Sequence, residues 1–541
     1  MDHQGRRRMA LVNLNRESGP PYFTDDETVS SLLKAVARAR PDHVYLRWAG
    51  GKLTCAGLEQ ESGRLAASIA SLGVKPGERV AVMLGHHLDH VLVFFALIRL
   101  GAVLVPVNTA LRGPSLSYQL GHSQPALVIA DREFAEVLDE PVATARVARV
   151  LWRDGPGDFA GNDWVKLGPA GDHPPDVAFR WDDLRIILYT SGTTGAPKGV
   201  QMSDRMLLAS ALGSIWISGV EPGDTLHFWD PIYHVFGAEV LVLALMVPVT
   251  LYMVPRFSAS HFWQQVKEAG ASHIHYVGGV LQMLLKQPES PLDKTHGARI
   301  AWGGGCPADI WTPFEERFGI TVREGYGMTE TCSFSTINTE GRRGSIGKAV
   351  DYFEVQVVDD EGKPCPPGVA GEIRVAEREP GVLTVGYFGN PEATADALHD
   401  GWLYTGDLAT MDADGFIRFH GRKKDSLRRR GENISAWEVE RVLNDHPEVA
   451  ECALIGVKSE IGDDDLKLFV RRNEGSRVTA SELLEWSQER LPKFQVPRFW
   501  AFLDEFRKTP TQRIQKQFLS ISIEDCDLDA EITKAPGRKI R

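Results

Sequence analysis

Apolar residues along this chain switch repeatedly between a helical spacing and short β-rich runs. "SGRLAASIASLGV" carries apolar positions on one helical face and stops at glycine, and "RVAVMLG" then reads as a buried strand. "HLDHVLVFFALIRLG" predicts a second helix and "AVLVPVN" a second strand. Repetition of this unit predicts βαβ connections and an α/β fold: a large N-terminal domain of layered sheets and helices, with a smaller mobile α+β domain after it. Two apolar runs approach bilayer length, "VLVFFALIRLGAVLVPV" and "FGAEVLVLALMVPVTLYMV". The first contains Arg99, the second Glu239 and Pro248, so each reads as a buried helix followed by a strand, and no integral membrane association is expected. From about Asp407 the texture changes. "GDLATMDADGFIRFHGRKKD" predicts a hairpin with Asp-Gly at its turn, then a cationic run and a compact α+β pattern. No repeat of solenoid period and no long low-complexity linker interrupts this order. The domains are therefore expected at residues 1–424 and 425–522, with a loose polar tail over 523–541.

Composition narrows the partners. A chain of 541 residues exceeds what one hydrophobic core organises, which agrees with at least two domains. The net charge of −12 disfavours general binding to nucleic acid, so a polyanionic ligand needs a local cationic patch. Six cysteines lie far apart with no C-x-x-C pair, as expected of reduced thiols in a cytoplasm. The opening "MDHQGRRRMALVNLN" has basic residues without the apolar core of a signal peptide, so secretion is not expected. Two histidine groups, His86, His87 and His90, and His273 with His275, lack a cysteine or carboxylate cluster at metal spacing and are assigned no zinc.

The chemistry concentrates in "YTSGTTGAPKGV". Thr190, Ser191, Thr193 and Thr194 supply hydroxyls, Gly192 and Gly195 allow backbone N–H groups to converge, and Lys198 adds charge, directly after an apolar strand. This is the chemistry of a phosphate cradle. It is not a Walker loop, because Pro197 precedes Lys198 and Gly199 follows it.

Further blocks follow in order: "EGYGMTE", "GWLYTGD", "DADGFIRFHGRKKD" and "RRGENISAWEVE", with weaker matches at "PIYHVFG", "GGGCPAD" and "KTPTQRI". Together with the hydroxyl loop they resemble the acyl-adenylate-forming superfamily, which includes AMP-dependent acyl-CoA synthetases, firefly luciferase and peptide-synthetase adenylation domains. The resemblance runs from "LTCAGLEQ" to Ile514. It implies an ATP-dependent ligase that activates a carboxylic acid as acyl-AMP, releases pyrophosphate and transfers the acyl group to coenzyme A, with Mg²⁺ as the metal. Small molecules, not nucleic acid, would be its partners, and the protein would be a monomer or homodimer. Residue by residue, Glu330 would hold Mg²⁺, Thr329 would touch the α-phosphate, and Tyr326 would stack on adenine. Asp407 would accept both ribose hydroxyls and Arg422 would add a ribose contact. Gly304, Gly305 and Cys306 would line the adenine slot, and Glu324, Gly325, Gly327 and Gly431 would belong to the nucleotide site. Asp425 would be the hinge of the small domain.

At the acyl end the resemblance places His234, with Tyr233, Phe236, Tyr276 and Trp302 nearby. "RRGENIS" and "FSASHFWQQVKEAGASHIHYV" resemble the carnitine/crotonobetaine-CoA ligase branch. The cationic run Arg422, Lys423, Lys424, Arg428, Arg429 and Arg430 suits the phosphates of coenzyme A, although a solvated face gives the same pattern. Three positions depart from the family: Asp204 stands where histidine is usual, Ala436 where proline is usual, and Gln512-Arg513 where most members have glycine and the catalytic lysine. Arg513, Lys508 and Lys516 are the candidates to replace that lysine. Two other functions fit the same motifs: an adenylate-former that serves a carrier protein or another acceptor, and a non-catalytic nucleotide-binding homologue.

Overall fold

The computed structural model describes residues 21–153, 177–190, 197–423, 426–429, 432–458, 464–508 and 514–531. They form two compact units. The first holds residues up to 190, then 197–355 and 375–403; the second holds 356–374 and the chain from Tyr404 onward. The chain thus first enters the second unit well before residue 424, and Lys424 and Asp425 themselves lie outside the described residues.

In the first unit a six-stranded sheet runs in the order Val150–Arg153, Leu127–Asp131, Arg79–Met83, Val103–Pro106, Leu184–Thr190, Lys198–Ser203. Its pairs are parallel except the last, an antiparallel hairpin whose register ends at Thr190 opposite Lys198. The inner strands are Val/Ile/Leu-rich because helices cover both faces of a parallel sheet. A nine-stranded sheet contains the parallel set Ile300–Gly304, His273–Val277, Thr225–Phe228, Thr250–Met253 and Val44–Trp48. Thr321–Tyr326 lies parallel to Ile300–Gly304, with Gly303 opposite Glu324.

Both long apolar runs resolve as the pattern predicts: helix Leu88–Leu100 then strand Val103–Pro106, and helix Val235–Met246 then strand Thr250–Met253. No helix of the described residues is long and apolar enough to cross a membrane. Asp204 opens helix Asp204–Ser218, is ion-paired to Arg185, and accepts the Val29 N–H at 2.8 Å, which ties down the helix Val29–Ala39. Its place in the fold is therefore structural.

In the second unit, strands Trp402–Met411 and Ile417–Arg422 form the expected hairpin, with Gly415 at φ 83° in its turn. Ala436 starts helix Ala436–Asn444. This helix and Ala480–Arg490 pack on a four-stranded sheet through Val439, Leu443, Leu468, Leu483 and Trp500. Residues 523–531 differ from the loose tail expected over 523–541, of which 532–541 lie outside the described residues. Leu528–Asp529 pairs antiparallel with Phe499–Phe502, and Asp529 is salt-bridged to Arg498 at 3.1 Å. The order comes from charge pairing and backbone hydrogen bonds, which a polar composition conceals.

Candidate active site

The C-terminal ends of Ile300–Gly304 and Thr321–Tyr326 bring two glycine-rich segments side by side in the first unit. A Cβ on Gly304 would lie 2.8 Å from the Gly325 carbonyl oxygen. Gly305 sits at φ 107°, with its Cβ position 2.8 Å from Gly278 Cα, so both backbone conformation and space demand glycine. Glu324 fixes this arrangement. Its carboxyl accepts the Gly305 N–H at 2.7 Å, the Cys306 N–H at 3.0 Å and the Tyr276 hydroxyl at 2.5 Å. Burial raises its pKa to about 7 against the pull of those three donors. Glu324 therefore shapes the slot from behind. Tyr276, expected beside the acyl group, faces the core on the other side of the strand and holds Glu324.

Tyr326 ends its strand, and Thr329–Thr331 form a single 3-10 turn that carries Thr329 and Glu330. Glu330 is only 4% exposed. One of its oxygens accepts the Tyr387 hydroxyl at 2.8 Å. Tyr387 is placed by a bridge to Val200 on the strand Lys198–Ser203, reinforced by the Phe388 N–H bonded to the Gly199 carbonyl at 2.7 Å. The same tyrosine ring lies 4.7 Å beneath Lys198 Nζ. Lys198, Tyr387 and Glu330 thus form a continuous series at the foot of the hydroxyl loop. Thr190 and Lys198 are the loop's described ends, whereas Ser191, Gly192, Thr193, Thr194 and Gly195 lie outside the described residues. Among the described residues no group of three His, Cys, Asp or Glu side chains could cage a metal. A single buried carboxylate such as Glu330 fits Mg²⁺ that takes its remaining ligands from phosphates and water.

His234 caps helix Val235–Met246, its Nδ1 accepting the Phe236 N–H at 3.3 Å. Its ring tilts against Phe236 at 5.0 Å, and Phe236 meets His275 at 4.7 Å.

Within the second unit, Asp407 stands opposite Arg422 across the hairpin, 4% exposed, with Arg422 Nε 3.3 Å from its Oδ1. Lys423 reaches Asp360 at 2.9 Å and Glu372 at 3.1 Å, and hydrogen bonding to Asp360 raises its pKa. Lys508 is paired to Glu451 at 2.6 Å and Lys516 to Glu440 at 2.8 Å. Lys508 and Ile514 bridge to each other, which pins the two ends of the segment that contains Arg513. Arg513, Asp425 and Gly431 lie outside the described residues.

Sequence reasoning missed Tyr387 and the role of His275. "GYFGNPEAT" holds no signal that would single out Tyr387, because its partners are distant in sequence. His275 was set aside with His273 for lack of metal spacing, yet its Nδ1 lies 2.7 Å from Asp230 Oδ1.

Comparison with known proteins agrees with this architecture. The AMP-binding enzyme family matches residues 33–388 and the AMP-binding enzyme C-terminal domain matches residues 438–513. A crotonobetaine/carnitine–CoA ligase of Salmonella choleraesuis (strain SC-B67) is 29% identical over 478 residues, covering 86% of this chain and 92% of the relative. The crystal structure of ATP-bound MatB from Rhodopseudomonas palustris superposes with a TM-score of 0.81 at 27% identity, covering 91% of this chain and 98% of that one. The O-succinylbenzoate coenzyme A synthetase (MenE) of Bacillus subtilis, in complex with ATP and magnesium ion, gives a TM-score of 0.78 at 27% identity, covering 98% of its own chain.

Proposed function

This chain belongs to the AMP-binding enzyme family and is an AMP-forming acyl-CoA synthetase, and from that premise we propose how its residues divide the reaction. A carboxylate oxygen of a small acid attacks the α-phosphorus of ATP, and the bond to pyrophosphate breaks. The thiol sulfur of coenzyme A then attacks the acyl carbonyl, and AMP leaves. The series Lys198, Tyr387 and Glu330 carries this reading, because it sets a cation and a buried carboxylate at fixed positions where phosphate charge must be held.

Glu330 would hold Mg²⁺, oriented by Tyr387, and the metal would supply electrostatic relief of phosphate charge. Thr329, Thr190 and Lys198, with Ser191 to Gly195, would donate to phosphate oxygens. Tyr326 would stack on the adenine, whose slot is the Gly304–Cys306 backbone shaped by Glu324, with Gly325 and Gly327 beside it. Asp407 would accept the ribose hydroxyls, steadied by Arg422, and Gly431 would complete the nucleotide site. His234 would border the acyl group. Arg513 would bridge substrate carboxylate and α-phosphate, a choice supported over Lys508 and Lys516 by the pairing of those lysines with Glu451 and Glu440. Coenzyme A is the proposed acceptor. Lys423 is occupied by Asp360 and Glu372, so its phosphates would fall to Lys424 and Arg428 to Arg430. The setting is proposed as cytoplasmic, with the enzyme a monomer or homodimer.

The test is ATP–pyrophosphate exchange over a panel of aliphatic, aromatic, steroid and betaine acids, followed by thioester formation on adding coenzyme A. Exchange without thioester would favour a carrier-protein acceptor; a flat panel would favour a nucleotide-binding homologue without catalysis. Arg513→Ala is expected to lower exchange on the order of 10²-fold, as loss of an oxyanion donor does. Thioester formation from supplied acyl-adenylate should change far less. Wild-type exchange by this variant would move the role to Lys508 or Lys516.

A further inference from the structure

Helix Gly113–Ser123 reaches the stem of the hydroxyl loop through a side chain to which the reaction gives no part. His122, in its last turn, is hydrogen-bonded through Nδ1 to the Tyr189 hydroxyl at 2.6 Å. Tyr189 immediately precedes Thr190 and pairs across the hairpin with Gly199. A Cβ on Gly199 would lie 3.3 Å from Tyr189 Cζ, so the tyrosine ring covers that glycine while its hydroxyl is held by the histidine. Tyr118, four residues earlier on the helix, stacks on the imidazole at 5.5 Å with 18° between the planes, which fixes the ring's orientation. Burial raises the Tyr189 pKa above that of an ordinary phenol, so the hydroxyl keeps its proton and remains a hydrogen-bonding partner for the imidazole.

The same imidazole also touches the segment that carries Tyr387. Phe388 meets it edge-on at 5.7 Å, and a Cβ on Gly389 would lie 3.1 Å from its Nε2. This segment is tied to the strand that leaves the loop, since Tyr387 bridges to Val200 and the Phe388 N–H donates to the Gly199 carbonyl at 2.7 Å. From Tyr387 the contacts run on to Glu330 at 2.8 Å and to Lys198 at 4.7 Å. His122 therefore meets both sides of the stem: the entering strand directly at Tyr189, and the leaving strand through Phe388. The loop sequence carries Gly192 and Gly195. Glycine loses more conformational freedom on ordering than any other residue, so a ligand-binding loop of this composition gains most from a stem that is already fixed.

We propose that His122 is a positioning residue for the triphosphate: through Tyr189 and Phe388 it keeps the two strands of the loop stem in register with Tyr387 and Glu330, while itself touching neither phosphate nor metal. The proposal rests on the ligase reading above, which gives the hydroxyl loop to the phosphates and Glu330 to Mg²⁺. The adenine slot stands apart from this chain of contacts, because Gly305 and Cys306 are fixed by Glu324. Loss of the His122–Tyr189 bond should accordingly loosen the grip on phosphates and spare the grip on the base. Its effect on affinity grows with the number of phosphates the nucleotide carries, a dependence that general loosening of the fold does not produce.

The test uses the full chain with Mg²⁺ and reads calorimetric binding of AMP, ADP and ATP beside pyrophosphate exchange over the acid panel. His122→Phe keeps a ring between Tyr118 and Phe388 and removes the hydrogen bond; Tyr189→Phe removes the same bond from the other side. Each should weaken ATP binding about tenfold, the ratio that about 1.4 kcal/mol provides and near the upper worth of one hydrogen bond. AMP binding should weaken by less than about twofold, with ADP between, because fewer phosphates meet the loop. The double variant should be no weaker than either single one, since both remove one shared interaction. Equal loss for all three nucleotides would show a merely structural role and overturn the proposal, as would additive losses in the double variant or wild-type ATP affinity in His122→Phe. If His122→Phe fails to fold, Tyr189→Phe, which lacks a single oxygen, decides by the same graded pattern. Graded loss with no exchange for any acid would keep the positioning role and overturn the ligase reading, whereas exchange with ungraded binding would keep the ligase reading and overturn the positioning role.

Discussion

Tyr387 shows how much one side chain can coordinate, because its ring supports Lys198 and its hydroxyl holds Glu330. Tyr387→Phe keeps the ring and removes the hydroxyl. Adenylation should fall about tenfold, near the cost of unpairing a buried acceptor, while the melting temperature stays close to wild type. Unchanged turnover would mean that Glu330 needs no orientation. Glu324 makes a different claim, about pH. Its carboxyl binds a proton more tightly in the folded chain, where its pKa is raised from 4.5 to about 7, than in the unfolded one. The stability it contributes is therefore fully present below about 4.5 and is lost as pH climbs through about 7, a swing on the order of 3 kcal/mol. Glu324→Gln should flatten that part of the denaturation-versus-pH curve; an identical slope would refute the assignment. Glu330, Tyr326 and Asp407 were candidates in the sequence because each sits inside a short ordered motif. Tyr387 and the His275–Asp230 pair were not, since a hydrogen bond between residues far apart leaves no local pattern.

At the scale of elements, the hydrophobic periods located helices Leu88–Leu100 and Val235–Met246, strand Arg79–Met83 and the Asp-Gly hairpin, because local burial sets those periods. Strand order was not legible: Val44–Trp48 pairs with Thr250–Met253, a choice made by packing after the chain has folded back. Leu528–Asp529 was hidden for a related reason, as its order depends on Arg498 and on the neighbouring strand. The turn after Thr321–Tyr326 offers a sharp test of local geometry. A Cβ on Gly327 would lie 1.7 Å from the Ser333 carbonyl oxygen, so backbone must move to admit it. Gly327→Ala should cost at least about 2 kcal/mol in denaturant unfolding and weaken AMP binding with it. A wild-type midpoint would show that this turn yields freely.

For the molecule as a whole, the proposed hinge at Asp425 predicts a separation of half-reactions. Proline there fixes φ near −65°, so Asp425→Pro should impair thioester formation while single-turnover adenylate formation survives within about threefold. Equal loss in both would place the hinge elsewhere or indicate misfolding. Long-range pairing also has a consequence in time. Strand Val44–Trp48 pairs early with its neighbour Gly51–Thr54 but finds its second partner only at Thr250–Met253, and the Val29 N–H finds its acceptor only at Asp204. At a ribosomal rate of about 5–20 residues per second, the interval between the two strands lasts on the order of 10–40 seconds. Through that interval Tyr45 and Leu46, fully buried in the finished fold, lack the strand Thr250–Met253 and the Leu241 carbonyl that accepts the Tyr45 hydroxyl. The enzyme's yield in a cell should then respond to translation speed and to chaperones that shield early apolar strands, even where the stability of the completed protein is unchanged.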